Sequence, residues 1–68
     1  MPEDFVKECQ KELKKRFELE IEKIKEFDPD KFLTLIIGVT RLSERKLLPE
    51  EDLKELREKI KKKMKEVV

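Results

Sequence analysis

The side chains that could support covalent chemistry are few and isolated in this chain of 68 residues. There is no histidine and no tyrosine, and Cys9 is the single cysteine. Ser43 therefore has no histidine that could act as its general base. Cys9 lies within a regular apolar pattern, where a small apolar residue is normally buried, so we interpret it as core filler. These residues predict no catalytic site.

Carboxylates are abundant, but their spacing marks neither a reaction centre nor a metal site. Glu18, Glu22 and Glu26 recur four residues apart, as charges on solvated helix faces commonly do. With one cysteine and no histidine, a metal would need carboxylate ligands alone, and no calcium-loop pattern is present. We therefore predict a non-enzymatic protein with no metal, no cofactor and no small-molecule substrate.

Lysines could bind phosphate groups, and they cluster in two places. One cluster lies within residues 11–16. The cluster near the C-terminus comprises Lys59, Lys61, Lys62, Lys63 and Lys65. Lysines near the C-terminus of a helix are favoured by the helix dipole without any ligand, and no exposed aromatic residue is placed to stack on bases. A small nucleic-acid-binding accessory protein of hyperthermophile type, using these C-terminal lysines, is the alternative function.

Length and composition indicate one small domain, residues 1–68. The formal net charge of +1 gives no overall field that would attract nucleic acid or an anionic membrane. No apolar run of membrane-spanning length and no signal peptide are evident, so we expect a cytoplasmic protein that does not contact membranes. Enrichment in lysine and glutamate is typical both of thermostable hyperthermophile proteins and of engineered or de novo designed scaffolds, and both origins stay open.

Three prolines, each followed by acidic residues, mark the predicted starts of three helices. Proline is favoured in the first turn of a helix, and acidic side chains there face the positive end of the helix dipole. The sequence predicts helices at about residues 3–27, 30–46 and 50–67, with Asp28 as the N-cap of the second. Short connections between them indicate an all-α, up-down-up three-helix bundle with a long first helix.

The apolar faces of the predicted helices differ in width. The first helix carries one stripe from Phe5 to Phe27, and the third carries a narrow seam from Leu53 to Val67. The second helix is the most apolar: Phe32, Leu35, Ile36, Val39 and Leu42 share an arc of roughly 120°, and Leu33 and Ile37 widen it. Thr34, Gly38, Arg41 and Arg45 occupy its narrow opposite face. We therefore expect the second helix to be central and the most enclosed.

An α-β-β-α chain with a hairpin at residues 16–41 is the alternative fold. Leu33, Leu35 and Ile37 alternate along one face of a possible strand, and the Asp28-Pro29 step could form a turn. No turn signal separates a first helix from such a strand, however, and an isolated hairpin has little stability of its own. We favour the helical interpretation.

More apolar surface is present than a three-helix bundle obviously covers. The first helix is longer than the second, so its first residues should extend past the corner between the second and third helices. We predict a non-catalytic protein-protein interaction module that binds another protein or a second copy of itself as a homodimer. The predicted contact residues are Phe5, Val6, Leu33, Ile37, Leu47 and Leu48. Gly38, inside a helix, is expected to have a packing reason such as close approach of another backbone.

Overall fold

Three α-helices contain most of the residues that the computed structural model describes, which are residues 3–68. Helix α1 spans Glu3–Glu22, α2 spans Pro29–Glu44 and α3 spans Glu50–Val67. Two short connections reverse the chain, so the helices run up, down and up. The described residues include no strand. The prediction of an all-α three-helix bundle is confirmed, and the alternative hairpin is wrong.

The start of α2 follows the predicted capping signal. Asp28 is the N-cap, and its carboxylate accepts hydrogen bonds from the backbone amides of Asp30 and Lys31 at 3.1 and 3.3 Å. Pro29 is the first residue of the helix, where its missing N–H removes no helical hydrogen bond. The local sequence is therefore sufficient to place this helix start.

Helix α3 also begins where the sequence predicts, directly after Pro49. The carbonyl oxygen of Pro49 accepts hydrogen bonds from the amides of Asp52 and Leu53, both at 3.1 Å. Three acidic residues occupy the first turn, where the helix dipole favours negative charge. The corresponding proline signal for α1, Pro2, lies outside the described residues.

The predicted end of α1 at residue 27 is wrong, because the helix ends at Glu22. The last turn tightens, and the amide of Ile24 donates to the carbonyl of Ile21 at 3.2 Å. Residues 23–28 form the connection that reverses the chain, and within it Ile24 is buried in the core. No glycine or proline precedes the turn, so local sequence carries no stop signal at this point.

Helix α2 ends at Glu44, two residues before the predicted boundary, in a Schellman motif. The amide of Lys46 donates to the carbonyl of Ser43 at 3.2 Å, and the amide of Leu47 donates to the carbonyl of Leu42 at 3.0 Å. These bonds require a left-handed residue, and Lys46 adopts it with φ of 54°. Glycine is the usual residue at this position, so the side chain of Lys46 introduces backbone strain.

Helix α3, rather than α2, lies between the other two helices. It packs against both α1 and α2, whereas α1 and α2 contact each other through few residues. Leu53, Leu56 and Ile60 on α3 are almost completely buried, so the narrow seam contacts both neighbours. The prediction that the second helix is central is therefore wrong. The buried core consists of Ile21, Ile24, Phe32, Leu35, Val39, Leu42, Leu48, Leu53, Leu56 and Ile60.

Ion pairs connect α1 to the flank of α3 and align the two helices in parallel. The ammonium group of Lys14 lies 3.2 Å from a carboxylate oxygen of Asp52 and 2.5 Å from one of Glu55. One turn further along, Lys59 pairs with Glu18. The hydrogen bond to Glu55, and to a smaller extent the one to Asp52, raises the pKa of Lys14. The hydrogen bond from Lys14 lowers the pKa of Glu55.

The first residues of α1 extend past the corner that joins α2 and α3. The side-chain amide of Gln10 donates to the carbonyl of Leu47 at 3.3 Å, which places the corner beside Gln10. Residues 3–9, here called the N-terminal overhang, therefore continue for about 10 Å beyond the corner. The molecule is correspondingly elongated, with principal extents of 43 × 20 × 17 Å.

Replacing Lys46 with glycine is expected to stabilise the protein by about 0.5–1 kcal/mol, because glycine adopts the left-handed conformation without strain. Urea unfolding followed by circular dichroism measures the change. Arg45→Gly is the matched control. Arg45 has φ of −89°, so glycine relieves no strain there and should destabilise the protein. A Lys46→Gly variant no more stable than the wild type would contradict this account of the α2 end.

Replacing Lys14 with methionine should remove a pH-dependent contribution to stability. The lowered pKa of Glu55 stabilises the fold above the ordinary glutamate pKa, and this contribution is lost as pH falls through the lowered value. The raised pKa of Lys14 stabilises the fold below the ordinary lysine pKa, and this contribution is lost as pH rises through the raised value. Free energies of unfolding of the wild type and Lys14→Met should therefore differ most near neutral pH and converge at both extremes.

The exposed neighbour Lys15 offers the control for this pH experiment. Lys15→Met removes the same charge without removing an ion pair to α3. Its unfolding free energy should stay at a nearly constant offset from the wild type across the same pH range. Parallel curves for the Lys14 and Lys15 variants would show that the ion pairs to Asp52 and Glu55 do not stabilise the folded state.

Candidate interaction surface

The outer side of α2 carries an exposed aliphatic surface, here called the α2 strip, formed by Leu33, Ile36 and Ile37. Their exposed fractions are 56%, 44% and 43%. The same helix buries Phe32, Leu35, Val39 and Leu42 in the core. Helix α2 therefore anchors one side of its broad apolar face in the bundle and presents the other side to solvent.

Ile36 belongs to this exposed surface although the sequence placed it within the buried arc. On a helical wheel, Leu35 and Leu42 lie on one side of Phe32, and Ile36 lies on the other, roughly 100–120° away from them. The buried arc is centred on the Leu35 side, because α1 and α3 both pack there. The sequence did not indicate which flank of the apolar face of α2 the neighbouring helices would cover. Only the positions of those helices show that Ile36, like Leu33 and Ile37, lies outside the core.

The N-terminal overhang and the adjacent corner form a second apolar surface. Phe5 and Val6 are exposed, and Leu47 at the corner is 45% exposed. Cys9, interpreted from the sequence as buried filler, is also exposed, because the apolar stripe of α1 runs past the ends of α2 and α3. Leu48 differs from its prediction as a contact residue: it is 5% exposed and belongs to the core.

A groove with a volume of about 610 Å³ separates α1 from α2. It exists because both helices pack on α3 and diverge from each other on the far side. Its apolar lining consists of Leu13, Phe17, Ile24, Leu35 and Gly38. Apolar periodicity alone did not predict this groove. Its signal was a pair of small residues, Thr34 and Gly38, one turn apart on a helix that is otherwise rich in large aliphatic residues.

Gly38 makes room for an aromatic ring, and not for another backbone as its position inside a helix predicted. A Cβ atom at Gly38 would lie 2.9 Å from two ring carbons of Phe17, which is closer than real Cβ contacts allow. Thr34 and Gly38, predicted to lie on an outward polar face, instead border the groove beside Phe17. The glycine is therefore a packing feature of the α1 and α2 contact.

The C-terminal lysines do not form one free cationic face. Lys59 pairs with Glu18, and Lys63 lies 3.7 Å from Glu66. The other three members are exposed: Lys61, Lys62 and Lys65. At 100° per residue these three lie within an arc of about 100° on the side of α3 away from the core, and Glu51 and Glu58 lie inside the same arc, so this face carries mixed charge.

Two further features bear on the kind of site. Within residues 3–68 no group of acidic, cysteine or histidine side chains could hold a metal ion. None of the described helices combines the length and the apolar character that crossing a membrane requires.

Substituting Gly38 with alanine tests the packing role of the glycine. Alanine favours a helix by about 1 kcal/mol over glycine, but the new methyl group must displace the Phe17 ring, and overpacking of this kind costs about 1–3 kcal/mol. We expect Gly38→Ala to be neutral to destabilising in the wild type. In a Phe17→Leu background the ring is gone, and the same substitution should stabilise the protein.

Thermal unfolding of the four proteins in this double-mutant cycle gives the coupling between positions 17 and 38. A Gly38→Ala effect that is independent of the residue at position 17 would exclude the ring contact as the reason for the glycine.

Comparison with protein-family models, with curated proteins and with solved structures finds no match for this chain. The functional assignment therefore rests on the exposed surfaces alone.

Proposed function

We propose that this protein is a non-catalytic protein-protein interaction module that docks through the α2 strip and the N-terminal overhang. The observation that carries the proposal is the exposure of Leu33, Ile36 and Ile37 side by side on one rigid helix. Fully burying an exposed leucine or isoleucine side chain contributes about 1.5–3 kcal/mol. These three are 43–56% exposed, so a partner that covers them gains part of that energy from each.

The fold presents the α2 strip in a preorganised form. Phe32, Leu35, Val39 and Leu42 hold the opposite side of α2 in the core, so the strip needs no rearrangement before it binds. Preorganisation lowers the conformational entropy lost on association. Exposed Asp30, Arg41 and Glu44 surround the aliphatic residues, and such charged rims set the orientation of a partner.

The N-terminal overhang extends the proposed contact surface at one end of the bundle. Phe5 is 53% exposed and Val6 is 42% exposed, and Leu47 at the neighbouring corner is 45% exposed. A partner covering this end would bury a phenylalanine, a residue type that is enriched in the apolar centres of interfaces. The mechanism of binding is thus burial of aliphatic and aromatic anchors within a charged rim.

The alternative function, nucleic-acid binding, has less support. Ion pairs occupy Lys59 and Lys63, and the remaining C-terminal lysines share their face of α3 with Glu51 and Glu58. Phosphate contacts weaken steeply as salt increases, whereas apolar docking does not. The ion pairs and the interleaved glutamates therefore lead us to favour a protein partner.

Alanine substitutions test whether the α2 strip is spare surface rather than core. Leu33→Ala and Ile37→Ala should each change the free energy of unfolding by less than about 0.5 kcal/mol, because the side chains are largely exposed. Leu56→Ala, at a fully buried position, is the matched control and should destabilise the protein by about 2–5 kcal/mol. Losses at Leu33 or Ile37 that approach the Leu56 loss would make those residues structural.

Photo-crosslinking tests the docking function directly. A photoreactive amino acid at position 37 should give covalent adducts with a protein, either this chain or another, in the cells that express it. The same amino acid at the exposed position Glu58 on α3 is the control for random collisions. Equal or absent adduct formation at the two positions would contradict the proposed function.

A further inference from the structure

The α2 strip continues at both ends into charges of opposite sign. Asp30, Leu33, Ile37 and Arg41 follow one another at spacings of three, four and four residues, so they form one line along the exposed side of α2. The line is roughly 16 Å long. It begins with an acidic residue, passes over two aliphatic residues and ends with a basic residue.

The two charges at the ends of this line have no ion-pair partner within residues 3–68. Five ion pairs join charged residues within residues 3–68, among them Lys14 with Asp52, and most of the other charged side chains there are unpaired. Asp30 and Arg41 are exposed and take part in none of these pairs. Both charges are therefore available to an external partner.

The order of charges along this line is self-complementary: it matches the same line on a second copy of α2 that runs in the opposite direction. In an antiparallel pair of α2 helices related by a two-fold axis, Leu33 of each copy lies level with Ile37 of the other. Asp30 of each copy then lies within about one helical residue of Arg41 of the other, and both are on the same edge of the contact. A parallel pair would instead place Asp30 beside Asp30 and Arg41 beside Arg41, which is repulsive.

We propose that a second copy of this chain covers the α2 strip, in an antiparallel two-fold dimer that pairs Asp30 of each copy with Arg41 of the other. Leu33, Ile36 and Ile37 form the apolar centre of this contact. The proposal rests on the docking function proposed above and names its partner. We infer a second copy as the partner from charge complementarity, because α2 itself carries both the acidic and the basic residue that an antiparallel pair requires.

The size of the surface determines how tightly such a dimer binds. A stable interface buries about 800 Å² on each partner, and a strip three aliphatic residues long on one helix provides only part of that area. The dimer therefore forms in the range of dissociation constants from about 1 μM to about 1 mM, where it responds to protein concentration. Each charge reversal affects two symmetric ion pairs, so single substitutions have doubled effects.

Sedimentation equilibrium of charge-reversed variants of the full chain tests the proposal. Asp30→Arg and Arg41→Glu should each weaken self-association about tenfold or more, because two attractive pairs become repulsive. An equimolar mixture of the two variants should associate as tightly as the wild type, since every contact again joins opposite charges. The double variant, which carries both reversals, should also dimerise.

Mixing separates a lost contact from a lost fold. A variant that failed to fold would not regain association when its counterpart is added, and circular dichroism checks helicity independently. Lys62→Glu on α3 changes the net charge by the same amount as Arg41→Glu and should leave association unchanged. A wild-type chain that stays monomeric at 1 mM, or a dimer insensitive to the reversals at positions 30 and 41, would overturn the proposal.

The outcome also distinguishes this inference from the proposed function. Photo-crosslinks from position 37 that join a different protein to a monomeric chain would eliminate the dimer and retain the docking function. Absence of any crosslink from position 37 would eliminate both. Crosslinked products with twice the mass of the chain, lost in the Arg41→Glu variant and regained in the mixture, are the expected result.

Discussion

The apolar seam of α3 is the interaction on which the rest of the structure depends. Leu53, Leu56 and Ile60 are almost completely buried because α1 packs against one side of the seam and α2 against the other. The buried residues of α1, α2 and the connections, such as Ile21, Phe32 and Val39, complete the core around this seam. Residues that seemed only a thin stripe on a polar helix therefore hold the whole bundle together.

Sharing one narrow seam forces α1 and α2 apart on the far side of the bundle. The resulting groove is partly filled by the ring of Phe17, and the absence of a side chain at Gly38 makes room for it. The stacked rings of Phe27 and Phe32, with centroids 5.7 Å apart, cover the connection between the same two helices. The contact between α1 and α2 therefore includes the ring of Phe17 beside Gly38.

The same arrangement explains why α2 keeps apolar surface for a partner. Its apolar face is wider than its contacts with the neighbouring helices, so the flank that carries Leu33, Ile36 and Ile37 stays outside the core. On α1 the ion pairs of Lys14 and Glu18 with α3 set the register between the parallel helices. That register leaves the first turns of α1 unmatched, which produces the overhang. Both exposed surfaces arise because three helices that differ in length and in the width of their apolar faces pack around the one seam of α3.

The sequence by itself determined the elements that depend on neighbouring residues. Side-chain and backbone preferences within a few residues determine the cap at Asp28 and the start of α3 after Pro49. They also account for the non-helical conformation of Leu48. Helix number, order and direction followed from these signals and from apolar periodicity. Tertiary structure decided what depends on the direction of contacts: the central place of α3, the early end of α1, the exposure of Cys9 and Ile36, and the burial of Leu48. A periodic pattern shows how much apolar surface a helix carries, but only the packed neighbours determine which part of that surface is covered.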